Sequence, residues 1–162
     1  MSAVRVGQGV DVHPFSADPA RALVLGGVRI PDAPGLEGHS DADVVLHALV
    51  DALLGAAGLG DLGTLFGSRD PRYAGADSRV FVAGALDAVQ AAGWRVGNAD
   101  LTIVGERPRV GSHRARIAES VAGVLGAEPG TVNVKATSTE GLGFLGRGEG
   151  LACLAVVLLE RA

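Results

Sequence analysis

The sequence predicts an α/β (α+β) domain in which a mixed sheet of four to five strands carries helices on one face. Residues 4–12 alternate apolar with small or polar side chains, as strands do, whereas residues 41–57 repeat apolar side chains at helical spacing. Further strands and helices follow in mixed order. With 162 residues and 48% hydrophobic content, the chain can bury a substantial core, and we expect one domain over residues 1–162.

The first strand is followed by a short hairpin and one clear helix. The strand ends at Pro14, and Gly26-Gly27 separates two short apolar runs in the pattern of a tight turn, residues 23–25 and 28–30. The helix covers residues 41–57, with Ser40 suited as its N-cap and Asp43 in the position of a capping-box acid. Its apolar stripe consists of Leu46, Leu49, Val50, Leu53 and Leu54.

The second half adds two helices and three strands. Residues 58–73 are rich in glycine, aspartate and proline and predict a loop. Residues 78–92 and 112–125 each open with serine and precede glycine, as helices often do. The strands are predicted at residues 99–104, 132–136 and 151–159. The last strand is apolar on both faces, which indicates cover on both sides, for example by another subunit.

Composition argues against several classes of partner. The net charge of −4 and the lack of a Lys/Arg cluster in the sequence argue against nucleic acid. The longest strongly apolar run, residues 151–159, is too short to cross a bilayer, and the N-terminus lacks an apolar signal segment, so we expect no membrane partner and a cytoplasmic location. The single cysteine, Cys153, excludes an internal disulfide and favours a small buried hydrophobe over a nucleophile.

One carboxylate and two imidazoles predict a divalent-metal site. Asp11 and His13 are two residues apart on the first strand, so their side chains leave the same face. His47 lies on the predicted helix, and the three together suit zinc with a fourth position left open. Asp43 or Asp51, four residues from His47 on either side, could orient its ring. The alternative is a solvated helix face with a lone histidine.

Two further segments suit phosphate. His39 and Ser40 precede the helix, where free N–H groups and the helix dipole attract anions within reach of a metal on His47. The alternative is that Ser40 only caps the helix. Residues 135–140 offer a lysine and hydroxyls for phosphate oxygens and a terminal carboxylate for magnesium, with a plain polar loop as the alternative.

The remaining loops give weaker signals. Residues 141–150 are dense in glycine but lack P-loop spacing, so Phe144, Arg147 and Glu149 indicate a tight turn or a contact between subunits. Residues 105–109 form a proline-containing loop that could hold a base through its backbone, or could simply connect two elements. The sequence has no Gly-x-Ser-x-Gly elbow and no Cys/His pair, so a covalent nucleophile is not predicted.

Five motifs together closely resemble the 2-C-methyl-D-erythritol 2,4-cyclodiphosphate synthase family. They are Asp-Val-His-x-Phe (11–15), His-Ser-Asp-Ala-Asp-Val-Val-Leu-His-Ala-Leu (39–49), the stretch from Asp-Ala-Leu-Leu to Asp-Leu-Gly (51–63), Val-Asn-Val-Lys-Ala-Thr-Ser-Thr-Glu (132–140) and Gly-Arg-Gly-Glu-Gly (146–150). The resemblance extends over residues 4–159, and the length fits the single-function form without a fused cytidylyltransferase.

The resemblance implies a phosphorus–oxygen lyase of the non-mevalonate isoprenoid pathway. Such an enzyme converts 4-diphosphocytidyl-2-C-methyl-D-erythritol 2-phosphate to the 2,4-cyclodiphosphate and CMP, by metal-assisted attack of the 2-phosphate on the β-phosphorus. It implies one zinc-type cation (Zn or Mn) per subunit on Asp11, His13 and His47. It also implies magnesium on the diphosphate, held by Glu140.

The resemblance further implies a substrate site. His39 and Ser138 would be catalytic and stabilise the transition state; residues 61–63 and 66–70 would surround the methylerythritol, residues 105–111 the cytidine, and residues 137–140 the diphosphate. The implied substrate contacts are Asp11, Val12, His13, His39, Ser40, Asp61, Leu62, Gly63, Phe66, Gly67, Ser68, Arg69, Asp70, Gly105, Glu106, Arg107, Pro108, Arg109, Val110, Gly111, Thr137, Ser138, Thr139, Glu140, Phe144 and Arg147.

The family assembles as a homotrimer around a central sheet-lined axis, with active sites between subunits. The resemblance therefore implies that Phe144 and Arg147 lie near this axis, where family members can bind isoprenoid phosphates. Two alternatives stay open from the sequence. One is a metal-dependent phosphoesterase, and the other is a non-catalytic trimer that binds isoprenoid phosphates around Arg147.

Overall fold

The computed structural model describes residues 4–67 and 70–162. The strands are β1 (Val4–Pro14), β2 (Leu23–Leu25), β3 (Val28–Ile30), β4 (Trp94–Val104), β5 (Val132–Thr137) and β6 (Gly150–Arg161). The helices are α1 (Val44–Ala57), α2 (Leu62–Phe66), α3 (Arg79–Ala91), α4 (Arg114–Leu125) and α5 (Gly143–Gly146), with 3-10 turns at Pro71–Tyr73 and Gly111–His113. None of the described helices is long and apolar enough to span a membrane.

The main sheet has four strands in the order β1-β6-β4-β5. Strand β6 runs antiparallel to β1 and β4, whereas β4 and β5 are parallel. Strands β1, β4 and β5 therefore point the same way, and their carboxyl ends meet at one edge of the sheet. The predicted mixed α/β sheet is confirmed with four strands, and β2 and β3 form the predicted hairpin as a separate two-stranded sheet.

Several predicted boundaries are wrong, each for a local physical reason. Helix α1 begins at Val44 because Asp43, not Ser40, is the N-cap and accepts the N–H groups of its first turn. The predicted loop over residues 58–73 contains α2, which Asp61 caps by accepting the N–H of Thr64. Residues 143–146 also form a short helical turn. The starts of α1 and α2 depend on single capping residues, Asp43 and Asp61, which composition does not reveal.

The two faces of the main sheet differ in cover. On one face α1, α3 and α4 enclose the core, where the apolar side chains of α1 and alternate residues of β6 are fully buried; Cys153 is one of these, as predicted. We call the opposite side the outer face. Its exposed apolar side chains are Val4, Val6, Val10 and Val12 of β1 and Leu154 and Val156 of β6. The second layer predicted over β6 is therefore not supplied by the described part of this chain.

Two glycines let helix α1 lie directly on strand β1. A Cβ atom added at Gly7 would stand 2.0 Å from the carbonyl oxygen of Ala52, and one added at Gly9 would stand 1.9 Å from that of Ala48. Any side chain at these positions would overlap the helix backbone. The pairing of glycine on the strand with alanine on the helix thus sets the shortest possible distance between the two elements that carry Asp11, His13 and His47.

Replacing Gly9 with alanine should destabilise the protein by about 3 kcal/mol, because one methyl group would force α1 away from β1. Urea denaturation at fixed protein concentration measures the change. The control is Gly123→Ala in the exposed part of α4, where an added Cβ meets nothing within 4 Å. That change should stabilise the helix by roughly 0.5–1 kcal/mol. Equal stability of Gly9→Ala and the wild-type protein would contradict the close-contact account.

Candidate active site

The side chains of Asp11, His13 and His47 converge on one point between β1 and α1. Asp11 Oδ2 lies 2.9 Å from His13 Nε2 and 3.2 Å from His47 Nδ1, and the two nitrogens are 3.3 Å apart. A tetrahedral ion with ligands at about 2.0–2.2 Å separates its ligand atoms by roughly 3.3 Å. The three atoms therefore already have the spacing of one face of a tetrahedral coordination shell.

One hydrogen bond at the far side of the His13 ring decides which nitrogen of the neutral ring carries the proton. His13 Nδ1 lies 2.7 Å from the carbonyl oxygen of Glu37. Because a carbonyl only accepts, Nδ1 must carry the proton, which leaves the Nε2 lone pair facing the other two groups. Arg21 in turn donates to backbone carbonyls of residues 36–40 and holds this segment in place.

The electrostatics of the three groups match a cation site. Burial alone would raise the pKa of Asp11, but the adjacent imidazoles of His13 and His47 outweigh it and lower the pKa to about 2. For His13, burial would lower the pKa, but Asp11 outweighs it and raises the pKa above the usual 6.5. Asp11 Oδ2 is buried, yet no described donor meets it with hydrogen-bond geometry. Such an orphaned oxygen between two imidazole nitrogens suits a metal ion better than a proton.

The three ligands leave one side of the site open. Their side chains keep 24%, 19% and 12% of their surface exposed for Asp11, His13 and His47. Two imidazoles and a carboxylate with an open position form the ligand set of a catalytic rather than a structural zinc site. The residues present therefore fit a zinc-type divalent cation.

The cavity above these ligands collects many of the residues expected from the sequence. Its lining residues are Asp11, His13, His39, Ser40, His47, Asp51, Asp61, Leu62, Gly63, Gly67, Tyr73 and Phe81. Phe66 instead packs edge-on against Tyr73 and Phe81 behind the cavity. Asp70 pairs with Arg72, and Ser68 and Arg69 lie outside the described residues.

Other expected residues have different positions. Val12 lies on the outer face, opposite Asp11 and His13. The proposed acceptors for His47 are wrong: Asp51 Oδ1 accepts the N–H of Leu62 at 2.8 Å, which ties α1 to α2. Burial raises the pKa of Asp51.

Asp43 is a buried structural carboxylate rather than a partner of His47. It accepts four backbone N–H groups, from Gly26 and Gly27 at 2.8 and 2.7 Å and from Val45 and Leu46 at 3.1 Å each. Burial raises its pKa to about 6 against the lowering effect of these bonds. The chain's own carboxylate thus occupies the start of α1, where the sequence had suggested an anion beside His39 and Ser40.

Sequence reasoning missed the aromatic wall and the true partner of the His47 ring. Tyr73 and Phe81 lie against the cavity, and Phe81 meets His47 edge-on at 5.8 Å. Nε2 of His47 lies 2.9 Å from the hydroxyl of Ser78 and 3.2 Å from that of Ser40. The only sequence signal for Ser78 was a serine before a helix, which predicts a cap and not a contact 31 residues away.

A second pocket lies at the carboxyl ends of β4 and β5. Its lining residues are Ile103, Gly105, Glu106, Pro108, Arg109, Val110, Gly111, Ala136, Thr137, Ser138 and Leu151. It thus contains most of the segment expected to hold cytidine and the first part of the segment expected to face the diphosphate. The peptide bond between Arg107 and Pro108 is cis. This pocket shares no lining residue with the first.

Glu106 connects the two loops of the second pocket. Its Oε1 accepts the backbone N–H of Thr139 at 3.1 Å and of Gly141 at 3.2 Å. Glu140, between them, has a positive φ of 54° and accepts the hydroxyl of Ser138 at 3.0 Å. The Glu106 side chain therefore fixes the turn that presents Glu140.

Three further expectations concern charged or exposed residues. Lys135, suggested as a phosphate ligand, pairs with Asp100 across β4 and β5. Phe144 is 47% exposed. Arg147 donates to Glu149 at 2.6 Å on the surface. The structure of one chain thus brings neither Phe144 nor Arg147 into either pocket.

Comparison with known proteins gives a consistent result. The sequence model described as the YgbB family matches residues 4–160. Two curated relatives, from Azoarcus sp. (strain BH72) and Rubrobacter xylanophilus, are both named 2-C-methyl-D-erythritol 2,4-cyclodiphosphate synthase and are each 54% identical. The matches cover 98% and 100% of this chain and 96% and 98% of the relatives, respectively.

Solved structures agree with the sequence matches. The bifunctional IspDF from Campylobacter jejuni aligns with a TM-score of 0.94 at 39% identity, over all of this chain and 43% of that chain. The CDP complex of IspF from Plasmodium falciparum aligns with a TM-score of 0.85 at 31% identity, over 99% of this chain and 98% of that chain.

Lowering the pH should weaken zinc binding, because His13 must be neutral to offer Nε2 and its pKa is raised above 6.5. Asp11, with a pKa of about 2, stays ionised throughout this range. Chelator competition between roughly pH 8 and 5 should show the zinc dissociation constant rising, with the rise beginning above about pH 6.5.

The control for this titration is His113→Asn, a histidine outside both pockets, which should leave the pH profile unchanged. A zinc affinity that stays constant between roughly pH 8 and 5 would contradict the assignment of His13 as a zinc ligand.

Proposed function

We propose that this chain, which belongs to the YgbB family, is a 2-C-methyl-D-erythritol 2,4-cyclodiphosphate synthase of the non-mevalonate isoprenoid pathway. Relatives of that name match almost its whole length. The observation that carries the proposal is the convergence of Asp11, His13 and His47 on one point. We propose a phosphorus–oxygen lyase formed by a single domain over residues 1–162. The cytoplasmic location stays a prediction.

The reaction proposed needs no protein base. An oxygen of the substrate's 2-phosphate, already anionic, attacks the β-phosphorus; the bond from that phosphorus to the bridging oxygen breaks, and CMP leaves with the electron pair. The chain's contribution is to fold a flexible polyanion so that the two phosphates meet, which can be worth about 7–11 kcal/mol in favourable cases. Divalent cations, when bound, supply Lewis-acid stabilisation of the charge on the transferring group.

The residue roles follow the two pockets. Asp11, His13 and His47 would hold a zinc-type cation (Zn or Mn), and Glu140 would hold magnesium on the diphosphate. His39, in the first cavity, and Ser138, in the second pocket, would be catalytic and stabilise the transition state. Ser40 and residues 61–63 also line the first cavity, in keeping with a role in holding the substrate. Residues 105–111, most of which line the second pocket, would hold the cytidine. A relative solved as a CDP complex supports a cytidine diphosphate ligand.

A homotrimer would complete the site. The diphosphate bridges the sugar phosphate and the cytidine, yet one chain places the two sets of residues in separate pockets. The outer face exposes six large apolar side chains. A patch of this kind is not expected to face water and indicates that another subunit covers it. We propose that three outer faces pack around the axis and that each active site combines pockets of neighbouring subunits. Phe144 and Arg147 would then lie near the axis, where an isoprenoid phosphate could bind.

The wild-type protein should release CMP and form one cyclic product, and Asp11→Asn should lower CMP release by at least about three orders of magnitude. The reason is that the amide removes the charge that joins the two imidazoles around a cation. Release of CMP is measured by chromatography, and phosphorus NMR identifies the product.

The control is Asp87→Asn on the exposed side of α3, which should retain wild-type turnover. A linear, hydrolysed product would show a phosphoesterase instead. Near-normal turnover of folded, metal-stripped Asp11→Asn protein would refute the metal role.

Charging the outer face should separate the subunits. Val156→Asp is expected to convert a particle of three times 16.3 kDa to single chains and to abolish CMP release, because a carboxylate would be buried at the axis. Light scattering after gel filtration measures the mass. The matched control is Val80→Asp on α3, where valine is similarly exposed, 46% against 42% for Val156. A wild-type protein that is fully active as a single chain would overturn the trimer.

A further inference from the structure

Ser78 occupies the N-cap position of α3 but does not cap that helix. Its side chain is completely buried and makes no hydrogen bond to the first turn of α3. The hydroxyl instead lies 2.5 Å from Asp41 Oδ1 and 2.9 Å from His47 Nε2. A serine in this position ordinarily satisfies a free N–H of its own helix, so its buried hydroxyl serves a different contact here.

One arrangement of protons satisfies both close neighbours of the Ser78 hydroxyl, Asp41 and His47; the hydroxyl of Ser40 is a third neighbour, at 3.4 Å. Asp41 already accepts two backbone N–H groups, from Asp43 at 3.1 Å and from Ser78 itself at 3.1 Å. A carboxylate only accepts, so the single proton of the Ser78 hydroxyl goes to Asp41. The serine oxygen is then an acceptor toward His47, and Nε2 of that ring must carry the proton.

This arrangement decides which nitrogen of His47 can bind a metal. With the proton on Nε2, Nδ1 keeps its lone pair, and Nδ1 is the atom that lies 3.2 Å from Asp11 Oδ2 and 3.3 Å from His13 Nε2. The opposite tautomer would leave the Ser78 oxygen facing a lone pair and would direct a proton at the other two ligands. The carbonyl oxygen of Glu37 determines the tautomer of His13 in the same way.

We infer that Ser78, anchored by Asp41, is a positioning residue that locks His47 in the tautomer whose Nδ1 faces the cation. The inference deepens the proposed function, because it rests on the same three ligands. It goes beyond the proposed function by assigning a role to two residues, Asp41 and Ser78, that line neither pocket.

Other contacts hold the ring but do not select the tautomer. Phe81 meets the ring edge-on, at an interplanar angle of 71°, and limits its rotation. Ser40 Oγ lies 3.2 Å from Nε2 and accepts the N–H of Ala42 at the same distance. Ser40 therefore offers a second oxygen to the Nε2 proton, while only Ser78 is tied to a carboxylate that fixes the direction of its own proton.

The first test is the affinity of the folded protein for zinc alone. Ser78→Ala should raise the zinc dissociation constant by about 10–100-fold, the usual effect of removing a group that orients a metal-binding histidine. The matched control is Ser120→Ala. This change also removes a partly buried hydrogen bond, from the Ser120 hydroxyl to the carbonyl oxygen of Gly26 at 2.7 Å, but this bond does not involve His47. Its zinc affinity should stay within about threefold of wild type. A similarly small change in folded Ser78→Ala would overturn the inference.

The second test needs no variant. Nitrogen NMR of the imidazole rings in the zinc-loaded wild-type protein should show His47 with a protonated Nε2 and with zinc on Nδ1. In Ser78→Ala the Nε2 proton should exchange with water faster. Zinc on Nε2 of His47, or a wild-type protein that does not bind zinc, would overturn the inference.

Both measurements omit the nucleotide substrate, so their outcome separates from that of the proposed function. A protein that shows the expected tautomer and affinity change but forms no cyclic product would keep the role of Ser78 and lose the synthase. Formation of the cyclic product together with an unchanged zinc affinity in Ser78→Ala would keep the synthase and overturn the role of Ser78.

Discussion

The contact between strand β1 and helix α1 is the constraint on which the site depends. The carbonyl oxygens of Ala48 and Ala52 occupy the space that side chains at Gly9 and Gly7 would need. Because side chains alternate along a strand, the same face that presents these glycines to the helix also presents Asp11 and His13. His47 precedes Ala48, so the close approach delivers its ring to the two strand residues. Packing and site geometry thus have one cause: the glycines that admit the helix also bring Asp11, His13 and His47 to the spacing of one coordination shell.

Two carboxylates, Asp43 and Asp11, shape the surroundings of this contact in different ways. Asp43 accepts four backbone N–H groups and fastens the β2–β3 hairpin to the start of α1, so the positive end of the helix dipole is already neutralised. Asp11, by contrast, keeps an oxygen without a donor beside two imidazoles. The first cavity is lined by Asp11, Asp51 and Asp61 and by no described Lys or Arg. A polyanion would be repelled there without a bound cation, so the proposed phosphate chemistry depends on the proposed metal.

The sequence predicted those features that depend on local periodicity or on short spacing. Alternation gave β1, helical spacing gave α1, and the two-residue step from Asp11 to His13 placed both on one face. It could not predict the cap at Asp43 or the partner of His47, because Asp43 and Ser40 are both good capping residues and only the packed hairpin decides between them. The role of Ser78 is even harder to predict from the sequence. Its contact with His47 spans 31 residues and arises because α3 lies against α1, which no local pattern encodes.

The division of the expected substrate contacts between two pockets follows from sheet order. Strands β1, β4 and β5 all end at the same edge, but β6 lies between β1 and β4. At about 4.8 Å per strand, the ligands on β1 are separated by two or three strand spacings from the loops after β4 and β5. Glu106 ties residues 139 and 141 to the β4 side of the second pocket, so these loops stay together on that side of the sheet. Within one chain, β6 keeps the two sets of residues apart. In the proposed trimer, apposition of two chains would bring the two sets together, and the exposed apolar side chains of the outer face would supply the surface for it.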